Sequence, residues 1–372
     1  VRIALDLGVL AHSRGGVARY TRGLAGGLAE ILAVEDDSLS LVDVPASHPG
    51  VPAPPEAEVL LPDPPYLRVP LLRRIPIRLG WEQRSRAERL ESKLGEVDVY
   101  HHGGTQPSAP ESAVSVVTLF DTSAWEHPGW HTRSTLEYCT AELGLIGGGS
   151  RLLAISRWAA CRAEGLLGLD EGSIGVAPGG AADMFAPGAP RPAAMKRMGL
   201  EADGYLLHVG SYVPRKNIPM LLAAYGAARE RGLRLPLVMV GAESWGGVEV
   251  PKAAGVVPAP SVDDGTLLDL YRGARCLLLP SRYEGLGLPV LEALACGTPV
   301  VCSDATALPE TLAGGGLLLD PEETDAWAEV MESLSDAEYS AELRRRAEKA
   351  ETRSWRDTAR DALAFYREVA GA

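Results

Sequence analysis

Apolar residues in this chain fall into short, nearly continuous runs, and these alternate with stretches where they return every three or four positions. Arg2 to Leu7, Val114 to Leu119, Leu152 to Ile155 and Ile174 to Val176 are runs of the first kind. Val17 to Leu32 and Arg157 to Leu166 have the second pattern. A nearly unbroken apolar run suits a strand covered on both faces, and the longer spacing suits an amphipathic helix. Strand and helix in alternation predict parallel strands joined by helical crossovers. The rhythm starts again downstream. Strands are predicted at Tyr205 to Val209, Leu237 to Val240, Cys276 to Leu279 and Pro299 to Cys302, and helices at Ile218 to Arg231, Gly265 to Arg272 and Pro289 to Ala295.

Between the two series lies Phe185 to Pro192, whose prolines and glycine stop both helix and central strand. The hinge is placed there. The predicted fold class is α/β, with two doubly wound Rossmann-like domains facing each other across a cleft. Residues 1–186 form the first domain, 187–354 the second, and 355–372 a final helix that packs back on the first. Pro-rich Ala46 to Pro70 reads as a long surface loop. The length of 372 residues agrees with two cores, since one rarely serves so long a chain.

A net charge of -13 repels a phosphate backbone, so nucleic acid is not an expected partner. One basic stretch interrupts that field. Arg68, Arg73, Arg74, Arg78, Arg84, Arg86, Arg89 and Lys93 face only Glu82, Glu88 and Glu91. Two readings stay open: a solvated helix, or a peripheral contact with an anionic acceptor or a membrane surface. Five scattered cysteines without a CxxC pair argue against a disulfide framework or a zinc site. No apolar run reaches the ~18 residues of a membrane span, and Val1 opens into a strand rather than a signal-peptide pattern. The expected location is the cytoplasm, at most peripheral to the inner face of the membrane.

Candidate chemistry concentrates at predicted strand ends. After the strand ending near Leu279 comes Ser281-Arg282-Tyr283-Glu284-Gly285-Leu286-Gly287-Leu288-Pro289, and then a helix carrying Glu292. Pro289 suits a first helical turn, the glycines allow close backbone approach, and the positive helix end favours phosphate. Glu284 and Glu292 can therefore face one cleft with separate roles: Glu292 for ribose hydroxyls, Glu284 nearer a transferred sugar. A second strand end carries His208-Val209-Gly210-Ser211-Tyr212-Val213-Pro214-Arg215-Lys216-Asn217. Arg215 and Lys216 can neutralise a departing diphosphate there. In the first half, Gly15 and Gly16 sit between a strand and a helix, as in a phosphate or sugar loop. GxGxxG and GxxxxGK[ST] are both absent, which weakens dehydrogenase and ATPase readings. Asp263-Asp264 precedes a helix and reads as a cap rather than a metal pair.

These motifs together resemble the family 4 retaining glycosyltransferases of the GT-B fold, in particular their bacterial mannosyltransferase-like branch. Glu284 and Glu292 match the family's E-x7-E pattern, and Arg215-Lys216-Asn217 its basic diphosphate motif. Softer matches in the first half are Gly15-Gly16-Val17-Ala18-Arg19-Tyr20, Trp81-Glu82-Gln83, Asp98-Val99-Tyr100-His101, and Ile155-Ser156 leading to Val176-Ala177-Pro178-Gly179-Gly180. The resemblance implies transfer of a hexose, with a leaning to mannose, from a nucleotide-diphosphate sugar to a glycan, lipid-linked or small-molecule acceptor. It implies an acceptor-binding first domain, a donor-binding second domain, retention of anomeric configuration, and neither cofactor nor metal. Glu284, Arg215, Lys216 and Asp121 would be catalytic. Gly210, Asn217, Gly285, Leu286, Gly287, Leu288, Glu292 and Gly16 would bind the donor.

One departure stands out. Family members carry His-Asp where this chain has Phe120-Asp121. His101, His102 or His127 would then supply the missing hydrogen bond, with His12 and His131 as further possibilities; His101 and His102, with Gly15, are the acceptor-side candidates. The alternative function is a nucleotide-sugar-binding protein with lost or reduced transfer. A phosphorylase of the same fold would need pyridoxal phosphate and usually a far longer chain.

Overall fold

The computed structural model describes residues 1–11, 15–32, 37–42, 88, 90–103, 109–241, 254–259 and 262–371. The Ala46 to Pro70 loop, His12 and nearly all of the Arg68 to Lys93 stretch lie outside the described residues.

The first domain is built on β1 (Arg2–Asp6), α1 (Gly16–Leu32), β2 (Ser38–Val42), β3 (Val99–His102), β4 (Val114–Leu119), α2 (Ser123–Glu126), α3 (Arg133–Gly147), β5 (Arg151–Ala154), α4 (Arg157–Leu167) and β6 (Gly175–Val176). Its strands pair in the order β2-β1-β3-β4-β5-β6, all parallel. The second domain has α5 (Pro192–Met198), β7 (Leu206–Val209), α6 (Ile218–Glu230), β8 (Leu237–Val240), β9 (Val256–Ala259), α7 (Asp264–Gly273), β10 (Cys276–Leu279), α8 (Leu288–Ala295), β11 (Val300–Ser303), α9 (Leu308–Leu312), β12 (Leu317–Leu319), α10 (Thr324–Ser333) and α11 (Ala337–Lys349). Its parallel order is β12-β11-β10-β7-β8-β9. The strand order of each sheet reverses beside its first strand, and in open α/β sheets ligands bind outside the carboxyl ends of strands at such a point.

Parallel sheets need cover on both faces, and β8 and β10 meet that requirement with apolar residues throughout. All four residues of β8 and of β10 are buried. In α1 the buried positions Ala18, Tyr20, Thr21, Leu24, Ala25, Leu28, Ile31 and Leu32 form one helical stripe.

The chain leaves the first domain after Ala181 and returns through Ser354, which bridges back to Ala181. The last helix, α12 (Trp355–Val369), starts with a capping box in which Ser354 and Asp357 satisfy each other's backbone amides. It lies along α1, and the fit depends on two glycines there. A Cβ on Gly23 would fall 2.1 Å from the Trp355 ring, and one on Gly27 would fall 2.3 Å from the Trp355 carbonyl oxygen. Thr358, Ala359, Ala362, Leu363 and Tyr366 of α12 are buried, so the end of the chain completes the first domain's core.

No helix among the described residues is long and apolar enough to cross a membrane.

Candidate functional site

The carboxyl ends of the two sheets meet face to face, and contact begins with backbone. A Cβ on Gly285 would lie 1.9 Å from the Phe120 carbonyl oxygen, so only glycine admits this approach. Ser156 Oγ donates to the Gly285 carbonyl at 2.6 Å. Leu286 and Leu291, although they belong to the second domain, are buried in the apolar cluster of the first. Glu310 spans the gap from α9 and accepts from the amides of Arg157 and Trp158, both at 3.0 Å, capping α4 from the opposite domain. Tyr283 reaches across to Thr122 at 2.8 Å and Glu126 at 2.6 Å.

Inside this interface the loop from Pro280 to Gly287 takes its shape from a few contacts. Gly287 adopts φ +95°, and a side chain there would press on Leu308 at 2.7 Å. The Glu284 amide donates to Thr306 Oγ1 at 3.0 Å. These contacts bring the Glu284 carboxylate under both cations of the β7 strand end. It accepts from Lys216 Nζ, from Arg215 Nη1 at 3.1 Å and from Ser281 Oγ at 2.7 Å. Burial by itself would raise the Glu284 carboxyl, but Lys216 and Arg215 outweigh it and hold the group down at about 2. Burial lowers the Lys216 ammonium, with Glu284 opposing it. Burial also acts to lower Arg215, yet Glu284 and then Asp121 leave it raised. Asp121, on the opposite domain, thus lies close enough for its charge to be felt by both cations.

Glu292, one helical turn inside α8, is only 5% exposed. Tyr271 donates to its Oε2 at 2.8 Å, and Arg19 of the first domain pairs with its Oε1. Burial raises this carboxyl against the pull of Arg19. Arg19 also bonds Asp264 at 2.6 Å and stands 5.8 Å from the centre of the Phe185 ring. Asp263 caps α7 through Thr266, with both bonds at 2.9 Å. Gly16, at the start of α1, is close to Leu288, 3.8 Å from where its Cβ would be. Around Gly15 no described residue comes within 4 Å of that position. Asn217 takes left-handed φ 56° before α6 and donates through Nδ2 to the Pro321 carbonyl at 2.7 Å.

The histidines are distributed differently from the expectation. His101 is buried between Thr118, at 2.7 Å from its Nε2, and Tyr366 of α12; burial drives its pKa down to about 3. His102 is also buried and bonds Ser115 at 2.6 Å. Their rings bond partners in the interior of the first domain. His127 stacks on Trp130 with centroids 4.0 Å apart. The histidine brought to Asp121 is His131: Asp121 accepts from Ser123 Oγ at 2.6 Å, and that hydroxyl lies 3.0 Å from His131 Nε2. Phe120 packs edge-on against Tyr20, with centroids 5.7 Å apart.

Sequence reasoning brought out the loop glutamates and the paired cations. It did not single out Arg19, Tyr271, Ser281 or Glu310, which complete their contacts. For Arg19 a signal existed, since it stands one helical turn beyond Gly15-Gly16 and so on the same end of α1. Tyr271 and Glu310 carry none, because their partners are distant in sequence.

Residues 191–353 match the family of glycosyl transferases group 1. The second domain, with Glu284, Glu292, Arg215 and Lys216, lies within that match. Over 251 residues, 64% of this chain, it is 32% identical to O-antigen chain mannosyltransferase B of Escherichia coli, covering 66% of that protein. Over 217 residues, 53% of this chain, it is 36% identical to a D-inositol 3-phosphate glycosyltransferase of Saccharomonospora viridis, covering 50% of it. The chain thus spans just under two thirds of the first relative and half of the second. Similarity of fold runs further. Sucrose-phosphate synthase from Thermosynechococcus elongatus aligns with TM-score 0.69 and 20% identity over 99% of this chain and 98% of its own. Anabaena HepE in complex with UDP and glucose aligns with TM-score 0.69 and 16% identity over 98% of each. The architecture is that of the GT-B glycosyltransferases, two Rossmann-like domains enclosing a cleft.

Proposed function

We propose that this protein is a metal-independent, retaining hexosyltransferase of family 4 that uses a nucleotide-diphosphate sugar, with mannose the leading sugar. The observation that carries the reading is the joint hold of Lys216 and Arg215 on the buried Glu284 carboxylate, opposite Asp121. Two cations fixed at a strand end, with their charge only partly spent on one carboxylate, suit the oxygens of a leaving diphosphate. The match of the second domain to glycosyl transferases group 1 and the mannosyltransferase relative support the same reading.

In this account Glu292 takes the ribose hydroxyls, and the backbone of Gly285 to Leu288 with Gly16 lines the donor's phosphate and sugar. The bond from the anomeric carbon to the diphosphate breaks, and the acceptor oxygen bonds to that carbon on the same face. The acceptor proton passes to the departing diphosphate, whose charge Arg215 and Lys216 offset. Closure of the two domains keeps water from hydrolysing the donor. The acceptor is a glycan, a lipid-linked carrier or a small molecule. The reaction is placed in the cytoplasm, beside the inner membrane face for a lipid-linked acceptor.

Incubation of metal-free protein with each nucleotide sugar and a labelled acceptor extract tests this. Product with retained anomeric configuration, lost in Lys216→Ala, is expected; binding of a donor with no transfer under any acceptor would overturn it. That second outcome defines the other reading, a nucleotide-sugar-binding protein without transfer. Phe120 favours it, because an apolar ring packed on Tyr20 stands where the family carries a histidine. Slow donor hydrolysis separates the two, being expected of a transferase alone.

A further inference from the structure

His208, at the third position of β7, is completely buried and uses only half its hydrogen-bonding capacity. Nδ1 lies 3.0 Å from the Leu278 carbonyl oxygen, so it carries the proton and donates. Nε2 is then an acceptor, and it has no partner among the described residues. Burial keeps the ring neutral, with its pKa down at about 4. A buried acceptor left unpaired is costly, so a donor is required near it.

The space in front of Nε2 is open because residue 210 is glycine. The point where a Gly210 Cβ would stand is 3.5 Å from His208 Nε2, 3.5 Å from Lys216 Cε and 3.7 Å from Lys216 Cδ. The lysine chain and the imidazole thus flank the same point, with no side chain at position 210 to separate them. Its ammonium has three N–H donors, and one is committed to Glu284. We propose that His208 is a positioning residue for Lys216: a small turn of the lysine chain, which does not bond Nε2 in this structure, gives Nε2 a second ammonium N–H, so that Lys216 is shared between Glu284 and His208 with its last N–H aimed into the cleft. Phosphate oxygens, having no proton to give, are refused by Nε2 and taken by the cation instead. This consequence for a diphosphate rests on the proposed function; the bond between the two residues does not.

The test is nitrogen NMR of the histidine side chains of the full chain, with His208→Gln assigning the signal. The expected result is an Nδ1–H tautomer whose Nε2 resonance moves when Lys216→Met removes the ammonium, and moves further toward the hydrogen-bonded position when a nucleoside diphosphate (GDP, UDP, ADP or TDP) is added to the unmutated protein. In parallel, His208→Phe keeps the packing and should weaken the diphosphate about tenfold while leaving the bare nucleoside unaffected, with His208→Gln restoring most of the loss. An Nε2 resonance that ignores Lys216→Met in both the free and the nucleotide-bound protein would overturn the proposal and identify water as the donor. If Lys216→Met moves the resonance but no nucleotide binds, the positioning bond stands and the donor-site reading falls.

Discussion

Arg19 and Glu292 join the two domains through a charge pair in which the guanidinium holds one carboxylate oxygen while Tyr271 holds the other at 2.8 Å. The Arg19 side chain is 27% exposed and that of Glu292 is buried, so the pair is shielded enough to matter. The same two oxygens are those that a ribose diol would use in the proposed function. In that function Arg19 and the donor would compete for Glu292, and Asp264, already bonded to Arg19, would receive the displaced guanidinium. In Arg19→Ala, nucleoside diphosphate affinity should rise about tenfold, since a partly buried charge pair no longer has to be broken. Small-angle scattering of the free variant should report a wider separation of the domains. Weaker nucleotide binding would instead make Arg19 a direct ligand of the donor.

Gly285→Ala should separate binding from turnover. Its methyl carbon would lie 1.9 Å from the Phe120 carbonyl oxygen, a contact that neither backbone can relieve without moving the domains apart. Nucleoside diphosphate binding is expected to survive and transfer to fall by more than about 100-fold, as expected of misplaced reacting groups. Equal loss of both in calorimetry and turnover would count against the closed cleft as the reacting form.

Glu284 should give acid sensitivity of a defined kind. Its folded pKa is depressed from the ordinary 4.5 to about 2, so its stabilisation is complete above 4.5 and fades as the pH falls toward 2. Denaturant unfolding across that window should show the loss in the unmutated protein and a flatter profile in Glu284→Gln; parallel profiles would mean that Lys216 and Arg215 do not hold the carboxylate in solution.

The buried histidines act from higher pH. His101 and His208 have folded pKa values near about 3 and about 4, below the ordinary 6.5. The unfolded chain therefore takes up protons first, and stability present above 6.5 declines as the pH falls below it, by about 1 kcal/mol per pH unit for each ring. Unfolding curves from pH 8 to pH 5, compared with His101→Asn, check this, and an unchanged slope in the variant would contradict the interior placement of His101.

The parallel α/β plan was legible because strands such as Leu237–Val240 and Cys276–Leu279 are apolar throughout and bounded by clear breakers. β2, β3, β9 and β12 were not legible as separate strands: Ser38–Val42, Val256–Ala259 and Leu317–Leu319 are short and only partly buried, and Val99–His102, though buried, is half histidine. The grouping of Glu284 with Arg215 and Lys216 could be anticipated, since each lies just past a strand end and the strands concerned are neighbours. Arg19, Tyr271 and Glu310 could not, because their partners are supplied by folding. The surroundings of the histidines were illegible for a related reason. Nothing local distinguishes His101, sealed by Thr118 and Tyr366, from His131, which a turn beyond β4 delivers to Ser123 and Asp121.

The central claim is that the second domain holds a nucleotide-diphosphate sugar through Lys216, Arg215 and Glu292. Calorimetric titration of metal-free protein with GDP, UDP, ADP and TDP and their sugars, repeated with Glu292→Ala and Lys216→Ala, tests it most directly. The account predicts selective binding of one nucleotide, weakened at least about tenfold by each substitution. Binding of none of them, or binding that both substitutions leave intact, would contradict it.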